Sequence, residues 1–339
     1  MQNKLRFGIV GCGHIAKRHA ENASRYGVLV AVCDIVKEKA DKLSQSYNAK
    51  SYYTIEQLLQ VANEMDVIAV CTPNGLHAKH AIQCLEAGVH VLCEKPMAIT
   101  TASCQEMIKA ANVSKKQLVV VKQNRFNSPV HELKNILSEG RLGKVYSVQV
   151  NCFWNRSVDY YKQADWRGTK ELDGGILFTQ FSHFIDILQW MIGDVEKVEA
   201  VLANYSHRGI VDFEDTGTVS FQFENGVMGN MMYTINSFKK NMEGSFTIFA
   251  EKGTVKIGGQ YLNEIAFQSI DGFSIEQTTL ASGSANDYGI YTGSMSNHDK
   301  VYANLVDVIT HNAPATANAY EGMKTVEIIE NIYKAARYI

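Results

Sequence analysis

An apolar run at residues 6–10 leads straight into Gly11-Cys12-Gly13-His14-Ile15-Ala16, and helical periodicity follows over 15–26. No other feature limits the fold so strongly. Glycines between a strand and a helix let the chain reverse sharply and turn the free N–H groups of the helix start toward an anion. Gly11 suits the tight turn, Gly13 the close approach of a pyrophosphate, and small Ala16 the close packing of helix on strand. A second apolar run at 28–33 ends in Asp34. An acid there accepts hydrogen bonds from both ribose hydroxyls and repels a 2′-phosphate. The expectation is a dinucleotide site that takes NAD rather than NADP, with Gly11, Gly13, His14, Ile15 and Asp34 at the cofactor.

Apolar runs recur at 67–71, 89–93 and 118–122, alternating with helical patterns at about 36–47, 55–62, a stretch ending near 85, and 102–112. Strands that are apolar throughout and separated by helices imply a parallel sheet covered on both faces, with ligands at the strand carboxyl ends. Beyond about residue 124 the pattern changes. A helix at about 129–139 precedes alternating runs at 145–154, 198–206, 216–223, 227–236 and 246–250, and Glu224-Asn225-Gly226-Val227 reads as a hairpin turn. A helix is inserted at about 176–192, and helical periodicity returns at 300–311 and 321–338. The expected architecture is an α/β Rossmann dinucleotide-binding domain over 1–123. It is followed over 124–339 by an α+β substrate-binding and oligomerisation domain with a large open, mainly antiparallel sheet. The C-terminal helix is expected to pack back on the first domain. A chain of 339 residues suits two domains.

A formal charge of −2 with scattered Lys and Arg argues against a nucleic-acid or polybasic membrane footprint. No apolar run approaches the roughly 18 residues needed to span a bilayer. The start, Met1-Gln2-Asn3-Lys4-Leu5-Arg6-Phe7, reads directly into a strand without a signal-peptide core. Seven cysteines without a Cys-x-x-Cys pair read as buried thiols of a reducing compartment, so a cytoplasmic enzyme is expected, with no metal. Met228-Gly229-Asn230-Met231-Met232-Tyr233 reads as a strand offering an apolar face for subunit contact.

Three further strand or helix starts carry chemistry. Thr72-Pro73-Asn74 ends the third strand, where the nicotinamide half of the cofactor is expected to run, and His77 opens the next helix. Glu94-Lys95-Pro96 ends the fourth strand. A positively charged nicotinamide ring nearby would lower the pKa of Lys95, and such a lysine passes protons or polarises a carbonyl oxygen. In the inserted helix, Thr179, His183 and Asp186 are spaced i, i+4, i+7 and are expected to share one face. An imidazole beside a carboxylate suits a general base for a sugar hydroxyl.

Jointly these motifs resemble the Gfo/Idh/MocA oxidoreductase family. The matching residues are Gly11-x-Gly13-x-x-Ala16, Asp34, Thr72-Pro73-Asn74-x-x-His77, Glu94-Lys95-Pro96 and Gly174-Gly175 followed by His183-x-x-Asp186. The resemblance implies oxidation or reduction of hydroxyl and keto groups on sugars, polyols or sugar nucleotides. It implies Lys95 and His183 as catalytic residues, Gln123, Trp166 and Arg167 at the cofactor, and dimers or tetramers packed through the sheet. Many polyol and sugar dehydrogenases of the family carry an acid where this chain has Thr179. The runs Gln123-Asn124-Arg125-Phe126-Asn127, Asn151-Cys152-Phe153-Trp154-Asn155-Arg156, Trp166-Arg167-Gly168-Thr169 and Asp173-Gly174-Gly175 look like the UDP-N-acetylglucosaminuronate 3-dehydrogenases. That likeness implies oxidation at C3 of a UDP-N-acetyl-aminouronate for surface polysaccharide synthesis. His183 would take the proton, Asp186 or a backbone group would orient His183, and Lys95 would steady the developing charge. Arg156 suits the uronate carboxylate, with Asn124, Tyr160, Tyr161 and Gln180 at the sugar. A keto-sugar nucleotide reductase uses the same residues. A non-catalytic NAD-sensing regulator or an NAD-dependent glycoside hydrolase fits less well a chain that keeps both Lys95 and His183.

Overall fold

A computed structural model describes residues 4–276, 285–287 and 292–339. Of the N-terminal stretch read above, Met1, Gln2 and Asn3 lie outside the described residues. The chain forms two compact units, Met1–Lys122 with His298–Val326, and Gln123–Asn297 with Glu327–Ile339.

The first unit alternates strand and helix: β1 Leu5–Val10, α1 Ala16–Tyr26, β2 Gly27–Cys33, α2 Lys37–Tyr47, β3 Lys50–Tyr52, α3 Ile55–Leu59, β4 Val67–Val70, α4 His77–Glu86, β5 His90–Cys93, α5 Thr101–Ser114 and β6 Leu118–Val120. The strands lie in the order β3-β2-β1-β4-β5-β6, all parallel. Order reverses between β1 and β4, so a crevice opens at their carboxyl ends. Phe7, Ile9, Val32, Val67, Ile68 and Val91 are buried, as strands covered by helices on both faces require. Periodicity carries no warning of β3, whose Lys50-Ser51-Tyr52 is a polar edge too short to register. The helix expected over 55–62 ends at Leu59, with Thr54 accepting from the Gln57 N–H at its start; a separate 3₁₀ turn spans Ala62–Glu64.

The second unit begins with α6 Ser128–Ser138, β7 Val145–Phe153, α7 Val158–Tyr161, α8 Ile176–Thr179 and α9 Ser182–Ile192. Strands β8 Val195–Ala203, β9 Thr216–Phe223, β10 Met228–Thr234, β11 Glu243–Ala250, β12 Gly253–Gly258 and β13 Glu264–Ile270 follow, then a small hairpin of β14 Ala285–Asp287 and β15 Thr292–Met295. Helix α10 His298–His311 and the start of α11 Ala319–Ala335 belong to the first unit, and the end of α11 with β16 Ala336–Tyr338 to the second. The large sheet runs β13-β12-β11-β7-β10-β9-β8-β16. It is mainly antiparallel, with parallel pairs at β10–β7 and β16–β8. Residues 224–227 join β9 to β10 as a hairpin, with Gly226 at φ +83°.

Three sequence expectations need correction here. β12 and β13 add two strands that the sequence reading did not include; β13 is exposed along most of its length, which weakens its alternation. The last helix stops at Ala335 instead of running to 338, because Ala336–Tyr338 pairs with the open edge of β8. The inserted helix is two helices. The Phe181 N–H bonds the Ile176 carbonyl (3.0 Å), one residue farther back than α-helical geometry, and the chain restarts at Ser182. Thr179 and His183 therefore stand on different helices, not on one face. Among the described residues, no helix is long and apolar enough to cross a membrane.

Candidate active site

In the first unit the glycine turn sits where β1, β2 and β4 end. The Gly11 N–H bonds the Cys33 carbonyl (2.8 Å), and its φ of +91° lies where side chains are disfavoured. A Cβ on Gly11 would lie 2.6 Å from the Cys71 carbonyl oxygen and 2.8 Å from the Thr72 nitrogen. Gly13 is the opposite case: a Cβ there would meet nothing within 4 Å, so its outer side is open. No side chain caps α1 and its first turn holds no acid, so its leading N–H groups remain suited to an anion. His14 is exposed and Ile15 half-buried beside them. Asp34 fixes the turn to the end of β2, accepting from the Cys12 N–H (2.7 Å) and the Val36 N–H (2.8 Å). A carboxylate has capacity for further donors, which suits ribose hydroxyls.

The loops after β4 and β5 are stitched together by His77. Its Nε2 pairs with the Thr72 carbonyl (2.8 Å) and its Nδ1 with the Pro96 carbonyl (2.7 Å). Burial lowers the His77 pKa, against the pull of the two carbonyls. The ring thus serves the site by holding the Thr72 and Pro96 segments in place. The Thr72 hydroxyl pairs with His80 Nδ1 (3.0 Å), and Asn74 is buried in the same turn.

Sequence reasoning missed what surrounds Glu94. One of its oxygens, Oε1, pairs with Nε2 of His19 (2.8 Å) and of His298 (3.2 Å); Oε2 accepts the Lys95 main-chain N–H (3.0 Å). The Tyr302 hydroxyl pairs with His19 Nδ1 (3.0 Å). All four side chains are buried. Burial pushes the Glu94 carboxyl upward, but the two histidine bonds outweigh it and hold the group well below the usual carboxylate range. Burial lowers the His19 pKa, so a neutral ring that donates from Nε2 and accepts at Nδ1 satisfies both partners. No local signal links these residues, because His298 follows Glu94 by 204 positions.

In the second unit a 3₁₀ turn, Gln123–Phe126, buries Gln123, Asn124 and Arg125. Arg125 forms a two-bond ion pair with Asp186 (2.8 and 2.9 Å) and lies over the Trp190 ring at 4.9 Å. Asp186, expected to orient His183, receives one of these Arg125 bonds on each oxygen. The Gln123 side chain donates to Ser294 Oγ (3.0 Å), while its Oε1 and both polar atoms of Asn124 have no hydrogen-bond partner among the described residues. Buried polar atoms left unmatched mark a place for a ligand.

His183 is the second residue of α9 and is buried. The Thr179 hydroxyl donates to the Asp173 carboxylate, which also accepts the Gly168 N–H (2.8 Å). A carboxylate therefore does reach the Thr179 position, from Asp173. Tyr160 packs between two guanidinium groups, Arg156 at 5.3 Å and Arg167 at 4.4 Å from its ring. Its hydroxyl accepts from Arg167 and from Gln180 Nε2 (3.0 Å). Arg156 is buried against Trp154 and donates to the Asn155 carbonyl and Asn241 Oδ1. Arg167 also covers the Trp166 ring at 4.7 Å. The hydroxyls of Tyr161 and Ser182 and the Oε1 of Gln180 are buried with no partner among the described residues. The structure thus gathers Arg156, Tyr160, Tyr161, Trp166, Arg167 and Gln180 into one neighbourhood.

Beneath α8 the fold joins residues that the sequence reading did not connect. Gly175 has φ +133°, and a Cβ there would run into the Tyr333 hydroxyl. The hydroxyls of Tyr333 (3.0 Å) and Tyr233 (3.1 Å) both donate to Glu214 Oε1. Tyr333 stacks on Phe178 and Tyr233 packs on Phe181, so the two tyrosines brace the α8–α9 break. Burial pushes the Glu214 carboxyl up to about 8.

A doubly wound sheet with an open glycine turn, an acid closing its second strand and a lysine on the loop after β5 defines a nicotinamide-dependent dehydrogenase. Family comparison agrees: residues 5–122 match the NAD-binding Rossmann fold of an oxidoreductase family, and residues 134–338 match its C-terminal alpha/beta domain. The chain belongs to the Gfo/Idh/MocA oxidoreductase family. A levoglucosan dehydrogenase of Pseudarthrobacter phenanthrenivorans is 26% identical over 325 residues, 85% of this chain and 83% of its own. The WlbA dehydrogenase of Chromobacterium violaceum, solved with NADH and UDP-GlcNAcA, is 36% identical with a TM-score of 0.90, covering 99% of this chain and 94% of its own. The WlbA dehydrogenase of Bordetella pertussis, solved with the same two ligands, is 33% identical with a TM-score of 0.87, covering 98% and 96%. The protein is an NAD-dependent dehydrogenase of a sugar-oxidising family.

Proposed function

We propose that this enzyme oxidises the C3 hydroxyl of a UDP-N-acetyl-aminouronate with NAD, in the synthesis of a surface polysaccharide. The observation that carries the reading is the buried cluster of Arg156, Tyr160, Tyr161 and Gln180, which joins fixed positive charge to unmatched hydroxyl and amide groups. Such a set suits a carboxylated sugar, since a buried guanidinium recognises a carboxylate by charge and geometry together. The likeness to two dehydrogenases solved with UDP-GlcNAcA supports it.

In this reading His183 takes the proton of the C3 hydroxyl. Lys95 directs its charge at the same oxygen, stabilising the negative charge that develops as hydride leaves. Bound NAD supplies the hydride acceptor. Gly11, Gly13 and the start of α1 hold its pyrophosphate, with His14 and Ile15 alongside. Asp34 takes the ribose hydroxyls, and Thr72, Asn74, Gln123, Trp166 and Arg167 line its nicotinamide half. His77 and Glu94 set the backbone of that region. Asn124, Gln180 and the two tyrosines hold the sugar.

We assign the outer face of the large sheet to a second copy of the chain, in a dimer or tetramer. Met228, Met232 and Phe249 are exposed there, and Met228 and Phe249 both pair with Ser147 across adjacent strands. Seven free thiols, six of them buried, support a cytoplasmic setting.

The test offers UDP-GlcNAcA, UDP-GlcNAc and free N-acetylglucosaminuronate with NAD, with and without 2-oxoglutarate as a second oxidant. Reduced-nicotinamide absorbance is expected with UDP-GlcNAcA alone among the three. His183→Asn is expected to abolish turnover while NADH still binds. Full activity of that variant overturns the role given to His183.

A further inference from the structure

We infer that His19 and His298 are positioning residues for the reaction, holding Glu94 as an anion that fixes the main chain of Lys95. This rests on the reading of Lys95 as catalytic. An ionised carboxylate buried among apolar groups is costly unless donors meet it on several sides. Glu94 is buried and has three: His19 and His298 on Oε1 and the Lys95 N–H on Oε2. The chain therefore maintains a buried anion one residue before the catalytic lysine, and that anion's second oxygen is committed to the lysine's own amide. Charge-assisted bonds of this kind are about twice as strong as neutral ones, which suits them to fixing a loop.

The anchor is drawn from three separate elements. His19 lies on α1, the helix whose start forms the cofactor turn. His298 opens α10, and Tyr302, one turn later on α10, closes the far side of the His19 ring at 3.0 Å. The His19 and His298 rings meet edge-on at 5.4 Å, so each limits the rotation of the other. Glu94 itself follows the last residue of β5. The glycine turn and the Lys95 loop are thereby referred to one buried point. Neither histidine has solvent access, so neither exchanges protons with substrate; each acts through Glu94. The three ligating atoms lie within 4.8 Å of one another, a spacing a divalent ion also tolerates. Ring N–H groups on a carboxylate oxygen account for the geometry without one.

A chain that relaxes here would move the Lys95 ammonium away from the reacting oxygen, and misplacement by about 1 Å costs about a hundredfold in rate. The experiment is a double-mutant cycle in the full-length enzyme with UDP-GlcNAcA and NAD, using Lys95→Ala, His298→Ala and the pair. His298→Ala is expected to lower kcat about tenfold to a hundredfold, with NADH affinity within about twofold of the parent. In the Lys95→Ala background the same change is expected to cost nothing further, since the group it positions is gone. His298→Gln and His19→Gln keep a donor near Glu94 and are expected to recover most of kcat. A second readout is independent of turnover: amide hydrogen exchange at Lys95 in the protein without ligand. Its protection is expected to fall at least about tenfold in His298→Ala while that of β1 and β4 is unchanged. Losses that multiply in the cycle, or unchanged exchange at Lys95, overturn the inference and leave the catalytic reading of Lys95 standing. Full activity of Lys95→Ala overturns that reading and the inference together.

Discussion

Glu214 gives the sharpest test of the energetics, because one substitution should change the pH dependence of stability by one proton. The carboxyl is fully buried, and burial raises it from an ordinary 4.5 to about 8. Tyr233 and Tyr333 donate to one oxygen, Asp215 adds a like charge, and Tyr338 and Tyr161 are close enough to feel the charge. Below pH 4.5 the group is protonated folded or unfolded and contributes its full stability. Between 4.5 and 8 the unfolded chain ionises while the folded chain keeps its proton, so rising pH favours unfolding. The slope is about 1.4 kcal/mol per pH unit, giving a ceiling of about 5 kcal/mol across the window. A glutamine at this position keeps the acceptor for both tyrosines and cannot ionise. Glu214→Gln should therefore gain on the parent steadily from pH 4.5 to 8, and the difference should be flat outside that window. Groups common to both proteins cancel in the difference. All three tryptophans, Trp154, Trp166 and Trp190, lie in the second unit with Glu214, so urea denaturation followed by tryptophan fluorescence reads the relevant unit. Parallel pH–stability curves for the two proteins would mean that Glu214 ionises alike in the folded and unfolded chain, and the burial assigned to it would then carry no cost.

Gly175→Ala should drive a Cβ into the Tyr333 hydroxyl at a φ reserved for glycine, costing about 2 kcal/mol or more and lowering kcat through the α8–α9 segment; thermal melts and steady-state kinetics check both. Arg125→Leu removes the guanidinium that meets both oxygens of the buried Asp186 carboxylate, so a loss of about 3–5 kcal/mol is expected by denaturant titration. Asp34→Ala removes an anion from the ribose end, and NAD affinity should fall about tenfold or more while discrimination against NADP narrows, read by fluorescence titration with both reduced cofactors.

The first unit was legible because its signals are local. Gly11, Gly13 and Asp34 lie within one strand–helix–strand unit, and periodicity located every strand of that sheet except the three-residue β3. The second unit was legible in class but not in detail. β13 escaped because an exposed strand does not force alternation, and the helix break at Gln180–Phe181 escaped because Phe178 and Phe181 keep helical spacing on both sides of it. Partners far apart in sequence were invisible. Nothing near Glu94 pointed to His298, nothing near Asp186 to Arg125, and nothing near Gly175 to Tyr333. The missing acid at Thr179 is a nearer case: Asp173, six residues before it, accepts the Thr179 hydroxyl.

Oxidation of a carboxylated, nucleotide-linked sugar by His183 and Lys95 with NAD stands or falls on one comparison of rates. The initial rate of NAD reduction with UDP-GlcNAcA is set beside that with UDP-GlcNAc, which carries a hydroxymethyl group in place of the carboxylate, for the parent and for Arg156→Met. The parent is expected to prefer UDP-GlcNAcA strongly, and Arg156→Met to lose most of this preference while still binding NADH. Equal rates with the two sugars, or a preference untouched by Arg156→Met, would rule the assignment out.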